Sequence, residues 1–255
     1  MDWLTQYAWV GALLFARLGA VMMLAPGWGE TAAPASLRLC AALMVTAVLA
    51  PHLAANAPSP PNAIINGIPL ILTEVIIGLV IGGGARILMS ALQVAGTTAG
   101  IASGLGFAQQ IDPIANQSAA IFSAFFSLMG VVLVMQAGLH RLMIEAAAES
   151  YVLFPPGALP PLGDTSVFVI DAVSASFRLG IQIAAPVLIF SLIFNVALGL
   201  VARLIPQIQI FMIAMPLSIL LGLAVMALGL GGGLMVWLAE MERHAGAFLP
   251  IPGTR

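Results

Sequence analysis

The sequence predicts an all-α, polytopic membrane protein of about six long, partly broken apolar helices. Three observations carry this. Hydrophobic residues fill 61% of the 255 positions and charged residues only 7%, the mean hydropathy is +1.10, and long apolar runs alternate with short separators rich in Gly and Pro. A soluble core of this composition is excluded, because so few charged residues cannot cover so much apolar surface. Runs long enough to cross a bilayer, at about 20 residues per crossing, fall at 7–25, 37–54, 64–92, 118–139, 166–202 and 208–238. Between them lie Pro26-Gly27-Trp28-Gly29, Pro58-Ser59-Pro60-Pro61, the stretch Gly104 to Gln117, and Phe154-Pro155-Pro156 through Pro160-Pro161, the punctuation that ends helices. None is long enough to form a soluble domain, so residues 1–255 read as one membrane domain.

The first run follows MDWLTQY, which lacks the positive region and cleavage pattern of a secretory signal, so it is expected to stay as a span. At 1.5 Å per residue, 64–92 reaches about 43 Å and 166–202 about 55 Å, against a hydrocarbon core of about 30 Å. Either these runs begin outside lipid, as Asp171 and Arg178 suggest for the fifth, or their helices rise out of the bilayer inside a larger assembly. Pro69, Pro186 and Pro216 within the runs predict kinks or breaks. Arg38 and Arg203 fall on one side of a six-span arrangement and Arg141, Arg243 and Arg255 on the other, so charge does not fix orientation.

The stretch Gly96 to Pro113 stands apart. Gly96, Gly100 and Gly104 are four residues apart, and Ala91, Ala95, Ala99 and Ser103 form a second small ridge. Such ridges let neighbouring backbones approach closely in lipid. The run then breaks at Gly104-Leu105-Gly106-Phe107, turns polar at Gln109 and Gln110, and stops at Asp112-Pro113. Non-helical backbone between apolar spans must be buried in protein or line a cavity.

Arg17, Glu74 and Arg86 lie inside apolar runs, where an unpaired charge costs at least about 2.5 kcal/mol. Glu74 and Arg86 are about 18 Å apart along one helix and cannot pair with each other. Each is expected to pair with another helix or to snorkel. A proton relay needs a chain of acids and histidines, and Glu74 is the one acid well inside a run, Asp171 lying near the start of the fifth. No enzyme, metal site or cofactor is expected: His52, His140 and His244 lack ligand spacing, and Cys40 is the sole cysteine. Gly82-Gly83-Gly84 and Gly231-Gly232-Gly233 lack the Lys and Ser or Thr of a phosphate loop and read as packing sites. All eight basic residues are Arg, with a net charge of −2, so nucleic acid is excluded as a partner.

At this point the residues carry a family resemblance. Asn195 to Leu217, NVALGLVARLIPQIQIFMIAMPL, resembles the C-terminal signature hairpin of the FliR family of flagellar type III export-gate proteins. Gly104-Leu105-Gly106-Phe107-Ala108 with Asp112-Pro113 resembles that family's central loop. Ala16-Arg17-Leu18 through Ala25-Pro26 with Glu30, Pro34 and Arg38, then Glu74 to Gly84, then Gly138 and His140 before Phe154-Pro155-Pro156-Gly157, match in order and spacing. Thr97 departs from the acid that the family often carries early in the small-residue helix.

The resemblance implies a gate subunit in the bacterial inner membrane, at the flagellar basal body. Its partners would be FliP and FliQ, with FlhB wrapped around them and FlhA beneath, and unfolded export substrates would pass through. Residues 1–165 would be FliP-like and 166–255 a FliQ-like hairpin. Gly104, Leu105, Gly106, Phe107, Ala108, Gln109, Gln110, Asp112 and Pro113 would form a plug, while Gly96, Gly100, Asn195, Gly199, Pro206 and Pro216 would serve subunit packing. Injectisome relatives share the architecture, but the GLGFA and DP pairing resembles the flagellar branch. The competing class, a stand-alone transporter or channel, would bring internal symmetry and facing ionisable residues, and neither is found.

Overall fold

Each of the six apolar runs becomes a helix in the computed structural model, which describes residues 2–29, 34–54, 57–61, 63–105, 117–204 and 210–249. The helices are α1 (Asp2–Leu24), α2 (Ala35–Leu53), α3 (Ile64–Gly100), α4 (Gln117–Gln136), α5 (Leu139–Leu153), α6 (Leu162–Leu204) and α7 (Ile210–Gly246). Four of them, α1, α3, α6 and α7, are long and apolar enough to cross a membrane. α4 and α5, bent by 69° across Ala137-Gly138, are long and apolar enough only as a pair, as one broken span or a re-entrant loop, and α2 is a shorter apolar helix. The protein is an all-α polytopic membrane protein. None of the three prolines singled out above interrupts its helix: α3 runs through Pro69, α6 through Pro186 and α7 through Pro216.

Hydropathy alone did not anticipate α5. Its buried side, Leu139, Met143, Ala146, Ala147 and Ser150, repeats at helical spacing. The opposite side carries Arg141, Glu145 and Glu149, which dilute the mean hydropathy without disturbing the 3.6-residue period.

The chain divides into two compact units. The first comprises residues 1–87, 131–173 and 240–255, and the second 88–130 and 174–239.

In the first unit α1 is the core element. Val10, Leu13, Leu14, Leu18 and Val21 are almost wholly buried, as are Ile77, Ile81 and Ala85 of α3. α2 and α5 also pack on α1. The α1–α3 contact is close because two glycines of α3 face backbone: a Cβ at Gly82 would lie 2.9 Å from the Val21 carbonyl oxygen, and one at Gly78 would collide with that of Arg17.

In the second unit the C-terminal part of α3 takes the central place. Ala91, Ala95, Ala99 and Ser103 are buried. A Cβ at Gly96 would come within 2.7 Å of the Phe122 carbonyl oxygen on α4, and one at Gly180 of α6 within 3.0 Å of Val94. Trp237 of α7, fully buried, donates its indole N–H to the Leu88 carbonyl at 2.9 Å. The outer faces of α6 and α7 remain apolar, with Leu192, Val196, Leu200, Leu220 and Leu228 all exposed. Such faces require lipid or another apolar surface.

Candidate functional site

The small-residue helix ends in a joint. Past Gly100, α3 widens into one π-type turn over Ile101–Leu105, and Gly104 closes it at φ +93°, ψ −4°. A side chain at that backbone angle would cost about 1–2 kcal/mol, so glycine sets where the helical angles are broken. The joint is held on α7 by small groups. The Ser218 hydroxyl donates to the Ser103 carbonyl at 3.3 Å, and a Cβ at Gly222 would sit 2.8 Å from that of Ser103. Ser103 in turn donates to the Gly100 carbonyl at 2.9 Å. Beside the joint lies a cavity of about 180 Å³, lined by Ile101, Gly104, Phe194, Asn195, Met215 and Ser218 among others.

The first unit contains a different arrangement, a charge node. Arg17 and Glu74 are completely buried and form an ion pair at 2.7 Å, Nε to Oε2. Arg17 also donates through Nη1 to the Ser150 hydroxyl at 3.1 Å and through Nη2 to the Phe154 carbonyl at 2.9 Å. Its guanidinium lies 3.8 Å from the centre of the Tyr151 ring. The second carboxylate oxygen of Glu74 accepts from the Gly157 backbone N–H at 2.7 Å, a hydrogen bond presented by a left-handed residue at φ +81°. Four chain segments therefore converge on one pair of charges. Burying such charges is tolerable only when they are paired and hydrogen-bonded. Here each nitrogen of the Arg17 guanidinium and each oxygen of the Glu74 carboxylate has a partner, while the buried Tyr151 hydroxyl has none among the described residues. Among the described residues no three His, Cys, Asp or Glu side chains form a metal-binding group.

The whole-chain pattern matches the model of the bacterial export proteins, family 1, over residues 8–244. The chain is 43% identical over 230 residues to the flagellar biosynthetic protein FliR of Caulobacter vibrioides, covering 90% of this chain and 91% of that one. It belongs to the FliR family. FliR of Aquifex aeolicus is 30% identical over 90% of this chain and 89% of its own, and that of Escherichia coli 29% over 89% and 85%. As a member of the FliR family the chain is a component of an export apparatus and not an enzyme.

The residues singled out from sequence fall in several places in this FliR-family fold. Gly104 and the backbone of Leu105 form the joint. Gly106, Phe107, Ala108, Gln109, Gln110, Asp112 and Pro113 lie outside the described residues, as does Pro206. Gly96 and Gly100 are buried, and the close approach at Gly96 is made within the chain, by α4. Asn195, Gly199 and Pro216 are exposed. The Asn195 side-chain amide donates to the Ser191 hydroxyl at 3.2 Å, and nothing lies within 4 Å of a Cβ built at Gly199. Arg17 and Glu74 come together, while Arg86, twelve residues further along α3 than Glu74, is half-buried. Sequence reading missed Ser150 and Tyr151 in the node and Ser218 and Gly222 at the joint. The last two, four apart on α7, carried the same small-ridge signal as Gly96 and Gly100.

Proposed function

We propose that this chain is a structural and gating subunit of the flagellar type III protein export gate in the bacterial inner membrane, needed for flagellum assembly. On this reading it joins FliP and FliQ, with FlhB and FlhA as further partners, in a channel for unfolded export substrates. Residues 1–165 play the FliP-like part and 166–255 the FliQ-like hairpin. The stretch Gly104 to Pro113 blocks the path.

The observation that carries the gating role is the joint at Gly104. A helix of minimal side-chain bulk reaches a glycine-only backbone angle there, on contacts worth little individually, so the angle at the joint can change at small cost. The exposed Asn195, Gly199 and Pro216 supply the outward contacts to other subunits. The flagellar names of the relatives favour the flagellar over the injectisome branch.

Two measurements test this. The mass of the intact detergent-extracted complex is expected to exceed that of this chain by several unlike subunits. A monomer or homodimer overturns the assembly. Deleting Gly104 to Gln110 is expected to leave assembly intact and make the membrane leaky to small solutes; unchanged impermeability overturns the plug.

A further inference from the structure

In the second unit three sides of α3 are occupied. Towards α4, a Cβ at Gly96 would come within 2.7 Å of the Phe122 carbonyl oxygen and 2.8 Å of the Ser123 backbone. Towards α6, Ser90 shares a hydrogen bond with Ser176 at 3.1 Å, and Val94 lies against Gly180. Towards α7, the Leu88 carbonyl takes the Trp237 indole N–H, and Ser103 packs on Gly222. The fourth side is open. It presents Gln93, Thr97 and Ile101, all exposed and four residues apart, which places them on one stripe of the helix. The Thr97 hydroxyl donates to the Gln93 carbonyl at 2.8 Å, and the Gln93 side-chain amide has no hydrogen bond among the described residues. Ile101, 53% exposed, carries the stripe into the cavity beside the Gly104 joint, where Ser191 and Ser218 add hydroxyls. From Leu88 to Leu105 the sequence holds no charged residue.

Acyl chains do not suit this stripe, because they leave the Gln93 amide unpaired in a helix long and apolar enough to cross a membrane. A closely packed helix does not suit it either. Close contacts elsewhere on α3 use Gly, Ala and Ser, the residues that let backbones approach in lipid, whereas Gln, Thr and Ile hold a second backbone off. Water satisfies the amide and the hydroxyls and tolerates a single exposed Ile. The joint decides where that water lies. On the gate reading the blocking stretch begins at Gly104, so α3 is the helix from which it hangs, and a block hung from α3 closes a space that α3 borders. Among the described residues of the second unit, the Gln93 side is the side of α3 left open to such a space. We propose that the stripe of Gln93, Thr97 and Ile101 is the wetted wall of the export path, a neutral surface along which an extended polypeptide slides. Without a charge it neither retains nor repels acidic or basic segments of the passing chain. This inference rests on the gate reading for the existence of a path, and on the packing of α3 for the side that faces it.

The test uses single-cysteine variants, Gln93→Cys and Thr97→Cys, in a Cys40→Ser chain, since Cys40 is itself exposed. The purified complex in detergent is treated with a small sulfonate-bearing methanethiosulfonate, which reacts with the thiolate and therefore where water reaches the sulfur. Both positions are exposed, so neither cysteine disturbs packing, and either one suffices if the other fails to assemble. Each is expected to be modified at least about tenfold faster than Leu220→Cys on the exposed apolar side of α7. A polypeptide substrate arrested in the complex by a folded domain at its trailing end is expected to slow modification at both positions severalfold. Modification no faster than at Leu220, or a rate unchanged by the arrested substrate, overturns the inference. If the complex has its full mass while the stripe stays unreactive, the wall inference fails and the gate reading stands. If the chain is in no complex at all, both fail.

Discussion

Where α1 meets α3 in the first unit, a guanidinium and a carboxylate hold the contact, with three nitrogens of Arg17 donating and both oxygens of Glu74 accepting, to each other and to Ser150, Phe154 and Gly157. In the second, Trp237 of α7 anchors α3 at Leu88, but from Gly96 to the joint α3 meets α4 and α7 through small groups: glycine against carbonyl at Gly96, serine against glycine at Ser103 and Gly222. The difference lies in what each contact costs to undo. Withdrawing one member of a buried ion pair strands the other charge, so that contact is all-or-none. Close small-residue packing gains from many weak dispersion contacts and can slide in steps. A molecule that must keep one region fixed while a neighbouring segment is displaced has a use for both.

The contrast can be broken most severely at the node. Glu74→Ala is expected to destabilise the chain by about 3–5 kcal/mol, the usual penalty for orphaning a buried charge, read by denaturant titration in mixed micelles. The double variant Arg17→Leu/Glu74→Leu, which leaves no lone charge, should recover much of that loss. If the single and double variants are equally damaged, the node's value lies in its geometry and not in its charge. Next in size is Gly96→Val, whose added bulk would press on the Phe122 carbonyl and Ser123; overpacking of this kind costs about 1–3 kcal/mol. Gly104→Ala should cost about 1–2 kcal/mol through its φ of +93° alone, and it should alter solute leakage while the first unit keeps its hydrogen-exchange protection. Equal loss of protection in both units would erase the distinction drawn here. The smallest effect within the chain is expected from Ser218→Ala, about 0.5–1 kcal/mol for one hydrogen bond. Gly199→Leu, in open space, should leave the isolated chain's stability unchanged, so any loss of complex mass in that variant reports a contact with a partner.

Much of the helical layout was legible because hydropathy and Gly/Pro punctuation are local signals. Each apolar run of 18 residues or more became a helix, and the break beginning at Gly104 was readable from its glycines, while the stop expected at Asp112-Pro113 lies outside the described residues. The node was not legible as a node. Arg17 and Glu74 each announced themselves as charges in apolar runs, but 57 residues separate them, and nothing local ties either to Ser150 or to the Phe154 carbonyl. α5 escaped notice for the opposite reason: its charged stripe masks an apolar side that is regular when read every third and fourth residue. The small ridge predicted close approach correctly but not the identity of the approaching backbone, since a bare helix face fits any neighbour equally well.

The length of α6 has a consequence for the cell. Its 43 residues extend to about 65 Å, more than twice the thickness of the hydrocarbon, and much of that length is flanked by exposed Leu, Ile and Val. Lipid cannot clothe all of it. On the proposed assembly, a newly made copy without partners is an unfinished surface, recognisable to membrane proteases by the apolar flank that a neighbour would otherwise cover. The amount of this chain in the membrane would then be set by the supply of its partners, and the same flank that completes the gate would count its copies.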